Sequence, residues 1–341
     1  MENKNKSKSS KINLSQLVLL GLGSLIGSGW LFGAWEASSI AGPAAIISWI
    51  IGFIVIGTIA YNYIEIGTMF PQSGGMSNYA QYTHGSLLGF IAAWANWVSL
   101  VTIIPIEAVS AVQYMSSWPW EWAKPMGALM KDGSISTIGL FAVYVIIAIF
   151  SLLNYWSVKL LTSFTSLISV FKLGVPLLTI IMLMISGFDT NNYGHSASAF
   201  MPYGSAPIFA ATTTSGIIFS FNAFQTIINM GSEIKNPEKN IARGIAISLT
   251  LSAILYIVLQ STFITSMPSS MIHEHGWNGI NFNSPFADMA ILLGINWLAI
   301  LLYVEAVVSP FGTGVSFVAV TGRVLRAMEK NGHIPKFLGK M

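Results

Sequence analysis

Eight times along the chain an apolar run reaches or passes the length a helix needs to cross a bilayer. The runs cover roughly 14–40, 43–69, 86–114, 137–156, 161–187, 206–231, 244–266 and 289–321. A spanning helix takes about 20 such residues. Lipid offers unpaired backbone groups no water, so a chain built this way has little open to it but a bundle of membrane helices. Only 9% of its residues are charged, where a soluble domain carries about 25%, and mean hydropathy is +0.66. Most connections are short. The two longer ones, 115–136 and 267–288, are polar and carry Trp, Pro, Gly or His, as surface loops do. The expected fold class is an all-α polytopic membrane protein with no separate soluble domain. The basic N-terminus "MENKNKSKSSK" leads into a run without a small-residue cleavage site, so the first span reads as retained.

Charge sets the expected orientation. With the N-terminus, 1–13, in the cytoplasm, thirteen of the sixteen basic residues fall inside: Lys4, Lys6, Lys8, Lys11, Lys159, Lys235, Lys239, Arg243, Arg323, Arg326, Lys330, Lys336 and Lys340. Lys124 and Lys131 fall outside and Lys172 lies within a span. That asymmetry satisfies the positive-inside rule and places the protein in the cell membrane. A net charge of +3 gives no reason to expect nucleic acid as a partner, and the absence of cysteine removes thiolate chemistry.

The stretch "GLGSLIGSGW", 21–30, puts Gly21, Gly23, Gly27 and Gly29 into the first apolar run. A dinucleotide fingerprint does not fit, because the spacing is wrong and no strand precedes it. Two readings stay open locally. Gly23 and Gly27 have the small-xxx-small spacing of tight helix packing. Alternatively the helix breaks at the midplane, which is tolerated where backbone lines a cavity. Depth favours the break. The middle of span 1 falls near Gly27 and that of span 6 near Phe219, where Ser215, Gly216, Ser220 and Asn222 interrupt "TTTSGIIFSFNAF". Paired interruptions in corresponding helices point to a transporter site.

The same depth count puts Lys172 of span 5 and Glu305 of span 8 near the midplane, and Glu107 of span 3 further toward the outside. A charge at a helix centre costs about 2.5–3.5 kcal/mol on insertion scales, so each needs a partner or a role. A structural ion pair is the plainer alternative to function.

At these residues the chain resembles the amino acid–polyamine–organocation permeases. "GLGSLIGSGWLFG" is similar to that family's span-1 signature, and Glu65–Gln81, "EIGTMFPQSGGMSNYAQ", to the segment closing span 2. Phe219–Ser248 is similar to span 6 with its following loop, and Gly322–Phe337, "GRVLRAMEKNGHIPKF", to the loop after span 8. "LLNYWSVK" and the outer-loop composition are most like the aspartate–proton symporter branch.

The resemblance implies a LeuT-like fold of two inverted five-helix repeats, 14–187 and an incomplete 206–321, with helices 1 and 6 broken and 322–341 a cytoplasmic end. The family typically has twelve spans, and eight are present here, so the chain is expected to be truncated at its C-terminus. It also implies a function, secondary active import of amino acids, aspartate or glutamate among them, by proton symport and alternating access. The substrate carboxylate would sit at Gly27, Ser28 and Gly29, where a helix N-terminus favours an anion. The ammonium would meet carbonyls around Leu25 and Ile26 and at Phe219, Ser220 and Asn222, with Phe219 gating the outer side. Lys172 in "SVFKLGVP" would stand where some members hold sodium. Burial disfavours its charged form, which makes it the candidate for proton coupling. Glu107 and Glu305 would give polar support.

Three other readings remain: an exchanger of the same fold, a non-transporting amino acid-binding protein, and a membrane enzyme built on Glu107, Glu305 and outer histidines. No nucleophile–base pair or phosphate loop appears in the sequence, no cofactor is implied, and "HEH", 273–275, is a solvated loop rather than a metal site. Trp118, Trp120 and Trp122 read as an interfacial belt.

Overall fold

A computed structural model describes residues 11–156 and 158–339. Lys4, Lys6, Lys8, Ser157 and Lys340, and with them most of the N-terminal tail, lie outside the described residues. Five helical stretches there are long and apolar enough to cross a membrane: Gly29–Met69, Met76–Ser116, Thr137–Tyr155, Pro237–Ser266 and Asn296–Lys330. Three shorter apolar helical stretches, Leu14–Leu25, Phe171–Ser186 and Ile217–Asn229, complete the set. Each of the eight expected spans coincides with helix. The chain is an all-α, multi-pass membrane protein.

Local chemistry sets the helix ends. α1 (Leu14–Leu25) starts on a capping box in which Asn13 and Gln16 bond reciprocally. α2 (Gly29–Ala41) stops at Gly42, whose φ of 63° is open to glycine, and Pro43 follows. α3 (Ala45–Met69) leads to α4 (Met76–Val101) and α5 (Ile103–Ser116). The division between α4 and α5 falls at Thr102 because Pro105 has no N–H to offer the carbonyl of Val101. The connection after α5 then forms a small hairpin, β1 (Met130–Lys131) against β2 (Ser134–Ile135), turned at Asp132 and Gly133 with positive φ.

α6 (Thr137–Trp156), α7 (Val158–Ser186) and the short α8 (Ala197–Phe200) precede the second irregular region. That region is α9 (Ala206–Thr214), α10 (Ile217–Phe221) and α11 (Gln225–Asn229). α12 (Pro237–Ser266) starts with proline in its first turn. α13 (Ser269–Gly279) and α14 (Pro285–Leu292) form the connection to α15 (Asn296–Lys330), which closes the bundle. α15 carries the helix through Arg323, Arg326 and Lys330, so part of the expected end segment is helical.

α12 packs along α1 and α3, and α15 along α4 and α5. At the centre Trp49 stacks on Tyr256 with ring centres 4.8 Å apart, and Phe221 meets both edge-on. The Gln260 side chain accepts from Trp49 Nε1 and donates to Ser38 and to the Ala34 carbonyl. At the end where α1 begins, Ile12 exchanges two backbone hydrogen bonds with Glu233 and Lys235, and Arg323 pairs with Glu233 at 3.3 Å. Lys235, Lys239, Arg243, Arg326 and Lys330 gather at that same end of the bundle.

Candidate functional site

The first apolar run is two helices. α1 ends at Leu25, the chain leaves helical geometry at Ile26 (φ −86°, ψ 82°), and α2 resumes at Gly29. Of the two local readings of the glycines, the break is the one present. The close helix approach lies one turn away from the pair expected. A Cβ at Gly21 would stand 2.7 Å from Ser248 Oγ of α12. Gly27 is not part of that packing seam. The Gly23 carbonyl accepts from Lys172, and the space beside Gly27 holds the carboxylate of Glu107, which a Cβ there would overlap.

The second break falls at Ser215 and Gly216, slightly before Phe219, with Gly216 in the left-handed region at φ 78°. No backbone N–H among the described residues returns to the carbonyls of Thr212, Thr213 or Thr214. They lack an intrahelical partner, as the last carbonyls of a helix do.

Between the two breaks lies a small, partly open pocket. Leu25, Gly27 and Gly29 line it from the first interrupted helix, Phe219 and Ser220 from the second, and Glu107 from α5. Five residues that the sequence did not single out complete the wall: Ser24, Ile103, Ala223, Thr313 and Phe317. Thr313, in "GTG" at mid-helix, left a faint signal. Tyr256 left none. Its hydroxyl donates to the Leu25 carbonyl at 2.7 Å from a position 231 residues away.

Three ionisable side chains converge here, all buried. The Ser28 N–H donates to both oxygens of Glu107, at 3.3 and 3.1 Å. Glu107 therefore sits on the break, not toward the outside as its depth suggested. Lys172 Nζ donates to the Gly23 carbonyl at 2.6 Å and to Thr313 Oγ1 at 2.5 Å, tying α7 to α1 and α15. Glu305 is 0% exposed, and neither oxygen has a hydrogen-bond partner among the described residues. The charge of Lys172 reaches both carboxylates, yet no carboxylate oxygen stands within 4.0 Å of it among the described residues.

The remaining expected residues are placed as follows. Ile26 is buried, and Ser28 offers its N–H to Glu107. Asn222 is outside the pocket lining: it donates to Ser99 Oγ at 2.9 Å and accepts from Gln225 at 2.6 Å. The N–H groups of Gly29 and Trp30 have no acceptor among the described residues. A helix start with open N–H groups at the edge of a pocket is suited to an anion. Among the described residues no cluster of three metal-ligating side chains occurs; His275 meets only Glu274, at 3.9 Å.

A family model described as amino acid permease matches residues 12–341. The chain is similar to a glutamate/serine transporter of Bacillus subtilis (strain 168), 53% identical over 325 residues that cover 95% of this chain and 60% of that protein. It is also similar to an aspartate–proton symporter of that organism, 37% identical over 325 residues, 94% of this chain and 60% of the other. A methylthioribose transporter of the same source is 26% identical over 345 residues, 100% of this chain and 71% of the relative. The chain thus spans 60% of the length of the first two relatives.

Proposed function

The chain belongs to the amino acid permease family, and from that premise we propose that it forms the substrate site of a secondary active transporter importing amino acids by proton symport. The observation that carries this is the convergence of two interrupted helices on one pocket with a carboxylate in its wall and an ammonium bonded to Thr313 of that wall. The open N–H groups of Gly29 and Trp30 take the substrate carboxylate at the positive end of α2. The hydroxyls of Ser24 and Ser220 face its ammonium. Glu107 holds the neighbouring N–H, so it competes with the substrate carboxylate for the same helix end. Lys172 supplies the cation that ties the first break to α15 and couples proton movement to binding.

The substrate is a small amino acid, aspartate or glutamate among the first to test, since the relatives named above carry glutamate, serine or aspartate. Phe219 gates the pocket on its outer side. Segments 14–187 and 206–321 act as two inverted repeats that rock around this site to give alternating access. The protein lies in the cell membrane with its N-terminus in the cytoplasm, as the basic residues gathered at one end of the bundle favour.

The test is uptake of a labelled amino acid panel into proteoliposomes carrying the full-length protein, with and without an inward proton gradient. Gradient-dependent accumulation of one amino acid class supports the proposal. Accumulation that needs internal amino acid and ignores the gradient makes the protein an exchanger and refutes it.

A further inference from the structure

Glu305 is the residue the site does not account for. It lies eight positions before Thr313 on α15, about 12 Å along the helix axis, and is sealed from solvent, with no donor within hydrogen-bond geometry of either oxygen among the described residues. Its neighbours in charge are few. α7 contributes Lys172 and α5 contributes Glu107. Asp288 of α14 is grouped instead with Tyr114 of α5 and Tyr303 of α15. From α4, Tyr79 is grouped with Tyr63 and Tyr82. The tyrosines of α6 whose side chains are described, Tyr144 and Tyr155, are exposed, as is Lys336 beyond the end of α15. α1 and α11 carry no ionisable side chain.

Among the described residues the enclosed set is therefore two carboxylates and one ammonium. An uncompensated charge in such a place costs several kcal/mol, so the set holds one proton more than the lysine's own. The two carboxylates are not equivalent hosts for it. Glu107 accepts from a backbone N–H at the start of α2, an arrangement that favours the anion. Glu305 has only the Ser309 hydroxyl, one turn further along α15, and the more distant ammonium to stabilise a negative charge, and no backbone N–H.

We infer that Glu305 is a second proton-carrying residue of the site, holding the proton that balances Lys172 against the two carboxylates. The inference rests on the proton-symport reading above. On the loading side, water delivers a proton and an O–H bond forms at Glu305. On the release side that bond breaks, the proton returns to water, and the electron pair stays on a carboxylate then balanced by Lys172. The substrate carboxylate arriving on α2 displaces Glu107 toward the same ammonium. A further negative charge there is tolerated only while Glu305 keeps its proton, and this makes binding and proton loading one event.

The test uses full-length protein in proteoliposomes with a trapped pH dye and labelled substrate. Wild-type protein is first required to show substrate-driven proton influx; if it shows uptake without influx, the symport reading itself fails. Glu305→Gln, which mimics the protonated acid, is expected to keep substrate counterflow and lose at least tenfold in proton influx. Influx at the wild-type level in that variant overturns the inference. Where Glu305→Gln loses counterflow as well, Glu305→Asp decides: a shifted pH midpoint for influx supports the assignment and an unshifted one overturns it. Infrared spectroscopy gives an independent reading. The carbonyl stretch of a buried protonated carboxyl is expected in the wild type at neutral pH and absent from Glu305→Gln; an identical band in both overturns it.

Discussion

Lys172→Ala is the perturbation with the largest expected consequence. The ammonium makes two hydrogen bonds, 2.6 Å to the Gly23 carbonyl and 2.5 Å to Thr313 Oγ1. Each charge-assisted bond is worth about 1.5–3 kcal/mol net. Alanine cannot reach either acceptor, and it leaves Glu107 and Glu305 with no counter-charge. Removing one partner from a buried charge set costs about 3–5 kcal/mol, a figure that already contains the two bonds. At about 1.4 kcal/mol per decade, an expected loss of about 4 kcal/mol is roughly a thousandfold change in the equilibrium it acts on. The loss should appear in two places. Thermal unfolding in detergent should fall well below the wild-type transition, because the tie between α7, α1 and α15 is gone. Uptake by the full-length protein should no longer respond to an inward proton gradient at any external pH. A variant with a superimposable melting curve and unchanged uptake across the pH series would refute the role given to Lys172.

Glu107→Gln removes the anion that competes for the start of α2, so substrate should bind about fivefold tighter at neutral pH, the equivalent of about 1 kcal/mol of helix-end electrostatics. Calorimetric titration checks it, and weaker binding would contradict the competition. Gly216→Ala places a Cβ in open space but at φ 78°. It should therefore cost about 1–2 kcal/mol of stability through backbone strain alone; an unchanged melting transition would show that the second break is not held in that geometry. Burial holds His333, just beyond α15, below the usual histidine range. The folded protein then takes up this proton less readily than the unfolded chain. Its contribution to stability is full above about pH 6.5 and is lost as pH falls through that value. His333→Gln keeps an amide near Gln81, the residue that meets His333 Nε2 at 2.8 Å. It should flatten that part of the stability profile, and an unaltered profile would place the acid sensitivity elsewhere.

The long apolar runs made the class and the spans legible, because the period and length of a membrane helix are written into composition. The break in the first span was legible too, since Gly27 and Ser28 sit at its middle. The site was legible only in part. Leu25, Gly27, Gly29, Phe219 and Ser220 line the pocket as expected. The position of Glu107 was not foreseen, because its partner Ser28 stands 79 residues away in sequence. Asn222 was expected at the substrate and bonds Ser99 instead, since a side chain on the far face of a short helix reaches a different neighbour. Thr313 and Tyr256 reach the site through tertiary packing over distances in sequence that no local pattern records.

The central claim is that amino acid and proton enter together through the pocket between the two broken helices. Its most direct test is the internal pH of vesicles containing the full-length protein, followed as aspartate, glutamate or serine is added outside without any imposed gradient. The account predicts that one of these acidifies the interior in step with its own uptake, and that Lys172→Ala abolishes the acidification. Uptake with no change in internal pH would contradict it.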